Sequence, residues 1–247
     1  MASKNSIGCF PIILVILFIT GMSLWNKYKS SNKEEFKIQK THGTLADLVN
    51  RGELRMIVET ADIKGIQISI EGQNGHYPHE YHITIPAGTH FISDNDSTQD
   101  VVSTELMNLD SDTYMRFYEV PTVCASLHKK APHKGNNFAI KNDYDNDEIK
   151  MVFRYINKKD IAFQYSVIQS VVWIITDNAT YDELTGLRIG FDLFTPVIVD
   201  IDIAHALSLL KKAGVDISNR NIWKQRMKIY RALSTEEKEK NKFLLNE

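Results

Sequence analysis

The chain has 247 residues, 43% of them hydrophobic and 24% charged, which is an ordinary globular composition with length for one large domain or two small ones. Its formal net charge of −2 argues against a nucleic-acid-binding protein, because no bulk basic surface is available. The sequence contains no phosphate-binding loop, dinucleotide fingerprint or paired-carboxylate signature. It therefore predicts no cofactor and no familiar catalytic site.

The N-terminus carries the most apolar run of the chain. Ile7–Trp25 is free of charge, and its 19 residues are the length needed to cross the hydrocarbon core of a bilayer. Two interpretations stay open, an uncleaved membrane anchor and a cleaved secretory signal. The length of the run and the position of Trp25 favour an anchor, so we predict a single-pass protein that contacts the membrane through residues 7–25. A very short N-terminal tail favours export of the rest, which predicts an extracytoplasmic domain, although Lys27 and Lys29 favour the opposite orientation.

A polar, lysine-rich segment over residues 26–43 is typical of a linker, and a β-rich region follows it. From residue 44 to residue 140 short runs of period two alternate with turn residues, which predicts an antiparallel β-sandwich-like domain. Its predicted strands are Leu54–Thr60, Ile66–Glu71, Tyr81–Ile85, Thr89–Ser93, Val101–Met107 and Tyr114–Val120.

The period becomes helical after residue 140. Three apolar stripes predict helices, at Ile149, Val152, Phe153 and Ile156; at Ile203, Ala206, Leu207 and Leu210; and at Trp223, Met227 and Tyr230. We predict a helical lobe over residues 141–233 that packs on the strands, and a polar tail over residues 234–247. Strands followed by helices give the fold class α+β.

The stretch Ile161–Asn178 is the most apolar run after the N-terminus, and it contains Gln169. Its length favours a buried helix, whereas its many β-branched residues leave a buried strand open. In a helix, Trp173 would lie one turn after Gln169 on the same face. A buried amide needs hydrogen-bond partners, since an unpaired one costs free energy. The partner of Gln169 is therefore the main functional question.

Only Cys124 of the two cysteines lies beyond the N-terminal run. Val123-Cys124-Ala125 and the later segment Ile168–Trp173, with the sequence IQSVVW, resemble the paired motifs of the thioester domains of Gram-positive surface adhesins. In that family an aromatic residue or leucine precedes the cysteine, and the second motif reads apolar-Gln-x-x-apolar-Trp. Val123 departs from the first motif, and the second is matched fully. The resemblance covers roughly residues 124–177.

This resemblance implies an internal thioester between Cys124 and Gln169. The thiolate would attack the side-chain carbonyl of Gln169 and release ammonia. Ile168, Val172 and Trp173 would form an apolar wall that keeps water away from the bond. An amine on a protein or on another surface ligand would then open the thioester and become attached. Together with the predicted anchor, the resemblance predicts a membrane-anchored surface binding module rather than an enzyme.

Two other functions stay open from the residues alone. A lone cysteine is often a small core residue, and a glutamine on a buried helix often bonds a neighbouring backbone, which would give a non-covalent structural or binding domain. Cys124 with His128 could instead be the nucleophile pair of a thiol-dependent hydrolase, and a metal-dependent hydrolase is the remaining variant. The histidine spacings match no metal-binding signature, so we predict exposed turn and strand histidines and no metal site. These histidines are His76, His79, His82, His90, His128 and His133.

Overall fold

A computed structural model describes residues 38–62, 64–73, 79–159, 161–189 and 192–245. The predicted anchor or signal, Ile7–Trp25, lies outside these residues, as do residues 26–37 of the predicted linker and His76. In the part of the chain that is described, none of the helices has both the length and the apolar character to cross a bilayer.

Strands dominate the first part of the described chain and helices the second. The strands are β1 (Gln39–Thr44), β2 (Leu54–Ala61), β3 (Gly65–Gly72), β4 (His79–Ile85), β5 (His90–Ser93), β6 (Val101–Ser103), β7 (Met107–Ser111), β8 (Arg116–Cys124), β9 (Phe138–Lys141), β10 (Arg188–Ile189) and β11 (Asp192–Pro196). The helices are α1 (Leu45–Asn50), α2 (Asp147–Lys159), α3 (Tyr165–Thr176), α4 (Tyr181–Gly186), α5 (Asp200–Lys212), α6 (Asn221–Lys224), α7 (Arg226–Ala232), α8 (Thr235–Lys240) and a final 3-10 helix (Lys242–Leu245). The predicted α+β class is confirmed.

The strand-rich part is built from a larger and a smaller sheet. The larger has the antiparallel order β2-β3-β8-β6-β5-β9, and the smaller has the order β1-β4-β7 with β1 parallel to β4. The single strand predicted over Val101–Met107 is divided between them, because β6 belongs to the larger sheet and β7 begins at Met107 in the smaller one. The strands β10 and β11 pair separately as an antiparallel hairpin.

One hydrophobic core joins the two sheets to α1. Alternate residues of β3 and β4 are buried in it, which is why period two predicted both strands. These residues are Ile66, Ile68 and Ile70 of β3 and Tyr81, Ile83 and Ile85 of β4. Leu45 and Leu48 of α1 belong to the same core.

Strand β1 lies in the segment predicted to be linker. Its sequence QKTHGT shows no apolar alternation and stays partly exposed, because β1 is an edge strand that pairs on one side only, with β4. Thr41 Oγ1 and His79 Nε2 lie 2.7 Å apart across this pairing. The compact unit of the chain therefore begins at Gln39 rather than at residue 44.

A second hydrophobic core combines the helices with part of the larger sheet, and α3 contributes most to it. This helix spans Tyr165–Thr176, which confirms the predicted helix and excludes the alternative strand, and all residues of Val167–Ile175 are buried. Arg220 stabilises the end of α3, because its Nη1 donates to the carbonyl of Ile175 at 3.1 Å. The other terminal nitrogen of Arg220 pairs with Glu148 of α2, so one side chain connects the two helices.

Helix α2 docks on the turn between β4 and β5. Gly88 in this turn has φ +95°, and a Cβ there would lie 2.8 Å from Cβ of Phe153, so only glycine fits against the helix. Asn157 of α2 accepts from the N–H of Ala87 at 3.1 Å and donates to its carbonyl at 2.9 Å. A side-chain amide thus pairs with both backbone groups of one residue.

The segment predicted to be a polar tail is packed on the domain. Helix α8 begins with a capping box between Ser234 and Glu237. In the following 3-10 helix Leu244 is fully buried in the second core, and Phe243 stacks on Trp223 with ring centroids 6.5 Å apart. The few apolar residues of this segment stand among charged ones and show no periodicity. The sequence pattern therefore does not predict this contact.

Candidate functional site

Gln169 and Cys124, the predicted thioester pair, are in direct contact. Oε1 of Gln169 accepts from the backbone N–H of Cys124 at 2.8 Å, and Nε2 donates to the backbone carbonyl of Cys124 at 2.7 Å. The two residues are 45 positions apart in the chain, and their exposed fractions are 0% and 1%. The buried amide therefore has its partners, and these belong to the predicted cysteine.

The unequal lengths of β3 and β8 explain why Cys124 needs such a partner. Their pairing ends at Gly65 and Pro121, and the N–H of Thr122 then donates to the carbonyl of Lys64 at 3.1 Å. The backbone groups of Cys124, two residues later, point to the same edge of β8 as those of Thr122. No residue of β3 lies opposite them, because β3 extends only as far as Gly65. The amide of Gln169 takes the place of the missing strand. Without it a buried N–H and a buried carbonyl would be unpaired, at a cost of about 1–3 kcal/mol each.

Tyr165 completes the site, and the sequence reasoning missed it. Its hydroxyl donates to Oε1 of Gln169 at 3.0 Å, so that oxygen receives two hydrogen bonds. Burial, and to a lesser extent the neighbouring Cys124 and Asp62, raises the pKa of Tyr165, so the hydroxyl keeps its proton. Tyr165 precedes Gln169 by four positions on α3, and this spacing is the signal that could have identified it.

The thiol of Cys124 is buried and protonated at neutral pH. Burial, with a smaller contribution from the carboxylate of Asp62, raises the pKa of Cys124 to about 12. The thiols of thiol-dependent hydrolases have the opposite property, a lowered pKa next to a cation or a helix N-terminus. Of the histidines described, none is among the causes of this shift.

The chain immediately after Cys124 is held by two side chains. The N–H of Leu127 donates to Oδ2 of Asp177 at 3.0 Å, and the N–H of Ser126 donates to Oε1 of Gln99 at 3.1 Å. Asp177 directly follows α3, so its bond attaches the segment after Cys124 to the end of the helix that carries Gln169, whereas Gln99 attaches the segment to the loop before β6. The position of Cys124 relative to α3 is therefore held by Asp177 as well as by Gln169.

The predicted apolar wall belongs to the second core. Ile168 and Val172 are fully buried, and Trp173 is 7% exposed. Trp173 and Cys124 line the same cavity. Within the described residues, Nε1 of Trp173 is closed to solvent and has no acceptor.

A cavity of about 200 Å³ lies beside the thiol. Its lining side chains include Cys124, Leu127, Trp173, Val197 and two cations, Lys129 and Arg188. One water takes up roughly 30 Å³ of liquid, whereas pockets for drug-sized ligands exceed roughly 300 Å³. The space thus suits one amino-acid side chain or a small organic molecule.

The histidines form local pairs away from Cys124. His82 stacks on His42 with centroids 4.5 Å apart, and His90 Nε2 lies 2.9 Å from Oδ2 of Asp100. His79 and His90 are 4% and 6% exposed, so the prediction of exposed histidines is wrong for these two, whose side chains pair with neighbouring strands and loops. Over the described ranges no group of three or more His, Cys, Asp or Glu side chains could hold a metal ion.

Comparison of the chain with protein-family models, with curated proteins and with solved structures gives no significant match. The resemblance to thioester domains therefore stays a prediction from the two short motifs.

Proposed function

We propose that the chain is a binding module in which Cys124 and Gln169 form an internal thioester that captures an amine. The observation that carries the proposal is the pair of donors on Oε1 of Gln169, the N–H of Cys124 at 2.8 Å and the hydroxyl of Tyr165 at 3.0 Å. Negative charge develops on this oxygen when sulfur adds to the side-chain carbonyl carbon. Preorganised donors stabilise such charge, and each contributes a factor of about 100 to 1,000 in rate.

Thioester formation needs only groups of this chain. The Sγ of Cys124 bonds to Cδ of Gln169, the Cδ–Nε2 bond breaks, and the thiol proton leaves on nitrogen as ammonia. The side chain of a strand residue stands out of the plane of its strand, whereas the amide of Gln169 pairs with that strand edge-on. This arrangement favours approach of sulfur to the face of the amide, as addition to a carbonyl requires.

Capture of an amine is the second step. A neutral primary amine adds to the thioester carbonyl, an amide forms at the Gln169 side chain, and the thiol of Cys124 is released. The burial that raises the pKa of Cys124 to about 12 also keeps water from the thioester. A dry site of this kind supports an electrophile that waits for a ligand.

A non-covalent docking role for Gln169 is the second candidate. Asn157 and Ala87 repeat the same double hydrogen bond, with bonds of 3.1 and 2.9 Å, and no cysteine takes part there. This pair favours a module in which side-chain amides only attach the helices to the strands.

We also infer that the module is tethered through residues 7–25 and faces outward. The uncharged run of 19 residues supports the tether. The core shared by the two sheets supports a β-sandwich-like description of residues 44–140. Alkaline extraction of membranes should leave the full chain in the pellet, and protease added to intact cells should degrade its folded domain. Release by alkali would indicate a cleaved signal, and protection from protease would indicate an inward orientation.

The intact mass of the full chain tests the thioester. We expect a mass lower than the sequence value by one ammonia, and the normal mass in Cys124→Ala and in Gln169→Glu. Gln169→Glu keeps Oε1 as an acceptor, and Asn157→Ala is the matched control, which should still lose ammonia. Methylamine should convert the wild-type chain to an adduct at Gln169 and release one thiol.

The sequence mass, together with a free thiol after unfolding, would contradict the thioester and leave the docking role. A mass one unit above the sequence value, with peptide mapping that places the change at Gln169 as a glutamate, would show that a thioester had formed and been hydrolysed. The three masses are distinct, so each outcome decides between the two candidates.

A further inference from the structure

The cavity beside Cys124 has a chemistry of its own. We infer that it is the entry site of the amine and that it selects a primary amine carried next to an acidic group. The covalent step of this inference rests on the proposed thioester, whereas the selectivity of the cavity can be tested without it.

The size and walls of the cavity limit what can enter. Its volume is about 200 Å³, and Leu127, Trp173 and Val197 line it with apolar surface. An aliphatic stem would bury its methylene groups there, and each group would raise the affinity about fourfold. A lysine side chain has such a stem and ends in a primary amine.

Two cations line the cavity and act on the protonation of an amine there, while the carboxylate of Asp62, which also acts on Cys124, opposes them. Lys129 and Arg188 line the cavity, and neither forms an ion pair with a carboxylate among the residues that the structure describes. Nη1 of Arg188 donates to the carbonyls of Thr185 at 2.6 Å and Leu187 at 2.9 Å, which fixes the guanidinium in place. Like charges disfavour an ammonium ion, so these cations favour the neutral amine, the only form that attacks a thioester.

The same cations attract an anion on the ligand. A carboxylate next to the amine would pair with Lys129 or Arg188 as a charge-assisted hydrogen bond. The occupant that fits is a lysine of a partner protein with an aspartate or glutamate beside it.

Thermal unfolding of the full chain with Cys124→Ala measures binding alone, because no thioester can form in that variant. The probes are ε-aminocaproate, hexylamine and hexamethylenediamine, which have stems of similar length and an anionic, neutral or cationic far end. At about ten times its Kd, ε-aminocaproate should raise the Tm by about 3 °C. Hexylamine should give a smaller shift and hexamethylenediamine the smallest.

Variants assign the effect to the cavity. Adding Lys129→Gln or Arg188→Gln should remove most of the advantage of ε-aminocaproate over hexylamine. Lys224→Gln is the matched control, because Lys224 is exposed and does not line the cavity, and it should leave the ranking unchanged. Equal shifts for the three probes, no shift for any of them, or the same ranking after both cavity substitutions would overturn the inference.

The wild-type chain then separates the two proposals. If its mass shows the loss of ammonia, adducts should form fastest with ε-aminocaproate. Equal adduct rates for the three probes would reject the selectivity of the cavity and leave the thioester in place. A wild-type chain with the sequence mass would reject the thioester, while selective Tm shifts in the Cys124→Ala chain would still establish an amine-carboxylate site.

Discussion

The Asn157–Ala87 contact and the Gln169–Cys124 contact attach two helices to the strand-rich part by one hydrogen-bond pattern. In both, a side-chain amide accepts from the N–H and donates to the carbonyl of a single residue. They differ in what surrounds the amide. Asn157 is partly exposed and receives no further hydrogen bond from the described residues, whereas Gln169 is fully buried and receives a third one from Tyr165.

Comparison of the two contacts shows which features are needed to dock a helix and which are not. The Asn157–Ala87 contact docks α2 without a thiol, a tyrosine hydroxyl or complete burial, so these are not needed to hold a helix in place. All of them are present at Gln169, and all of them act on the reactivity of its carbonyl. These additional features are the physical reason for proposing thioester chemistry, rather than docking alone, at the Gln169–Cys124 contact.

Removal of the side-chain amide of Gln169 or Asn157 should change stability more than any other substitution considered for these two contacts. In the Cys124→Ala background, Gln169→Leu should lower the free energy of unfolding by about 4 kcal/mol, because two buried backbone groups at residue 124 lose their partners. Asn157→Leu should cost about 2 kcal/mol, since Asn157 is itself partly exposed and water can take the place of its amide beside Ala87. Urea denaturation measures both. Equal losses would remove the distinction between the two contacts.

Removal of the third hydrogen bond is the next test. Tyr165→Phe should slow the loss of ammonia about 100-fold, because Oε1 keeps only one of its two donors. It should lower stability by only about 1 kcal/mol. The measurement is intact mass against time after refolding from denaturant. Tyr155→Phe, on α2, is the control, and equal rates for the two variants would show that the hydroxyl of Tyr165 does not assist the reaction.

The thiol itself should make stability depend on pH in chains that have not lost ammonia. The pKa of Cys124 is about 12 in the fold, against 9.0 as the ordinary value, so the unfolded chain ionises first as the pH rises. This contribution to stability is complete below pH 9 and is lost between pH 9 and pH 12. We expect a loss of about 1.5 kcal/mol between about pH 9 and pH 10.5, measured by urea denaturation. Cys124→Ala should remove this component, and a slope unchanged by that substitution would contradict a buried thiol.

The smallest expected effect belongs to Asp62. Its carboxylate contributes to the raised pKa of Cys124, after burial. Asp62→Asn should therefore move the thiol titration to slightly lower pH, as followed by thiolate absorbance. The asparagine oxygen can still accept from the N–H groups of Lys64 and Gly65, at 2.7 and 3.0 Å in the native chain, so the turn should persist. An upward shift would mean that Asp62 acts on Cys124 in some other way.

Sequence patterns predicted the parts of the fold that repeat with a fixed period. Ile66, Ile68 and Ile70 alternate because one face of β3 is buried, and α2 and α5 show helical stripes for the same reason. Strand β1 was not predicted because its own residues are polar and its pairing partner β4 is distant in the chain, with Gln39 opposite His79. An edge strand of this kind has no local signal.

The candidate site was predictable in part. The two motifs identified Cys124 and Gln169, and the structure places them in contact. The nature of that contact depends on β8 extending beyond the last residue paired with β3. This is a property of the tertiary strand pairing that no local sequence pattern encodes. The cations of the cavity come from segments far apart in the chain, Lys129 and Arg188, so they also escaped prediction.

The partner of Cys124 arrives late during synthesis of the chain. Gln169 follows Cys124 by 45 residues, which a ribosome adding 5–20 residues per second completes in roughly 2–9 s. During this interval β3 and β8 are already available for pairing, whereas the end of β8 has neither the amide nor the apolar helix that covers it. The thiol is then solvated, with an ordinary pKa, and open to oxidants or to other thiols. The finished fold buries this thiol, whereas the order of synthesis leaves it exposed until the segment with Gln169 follows.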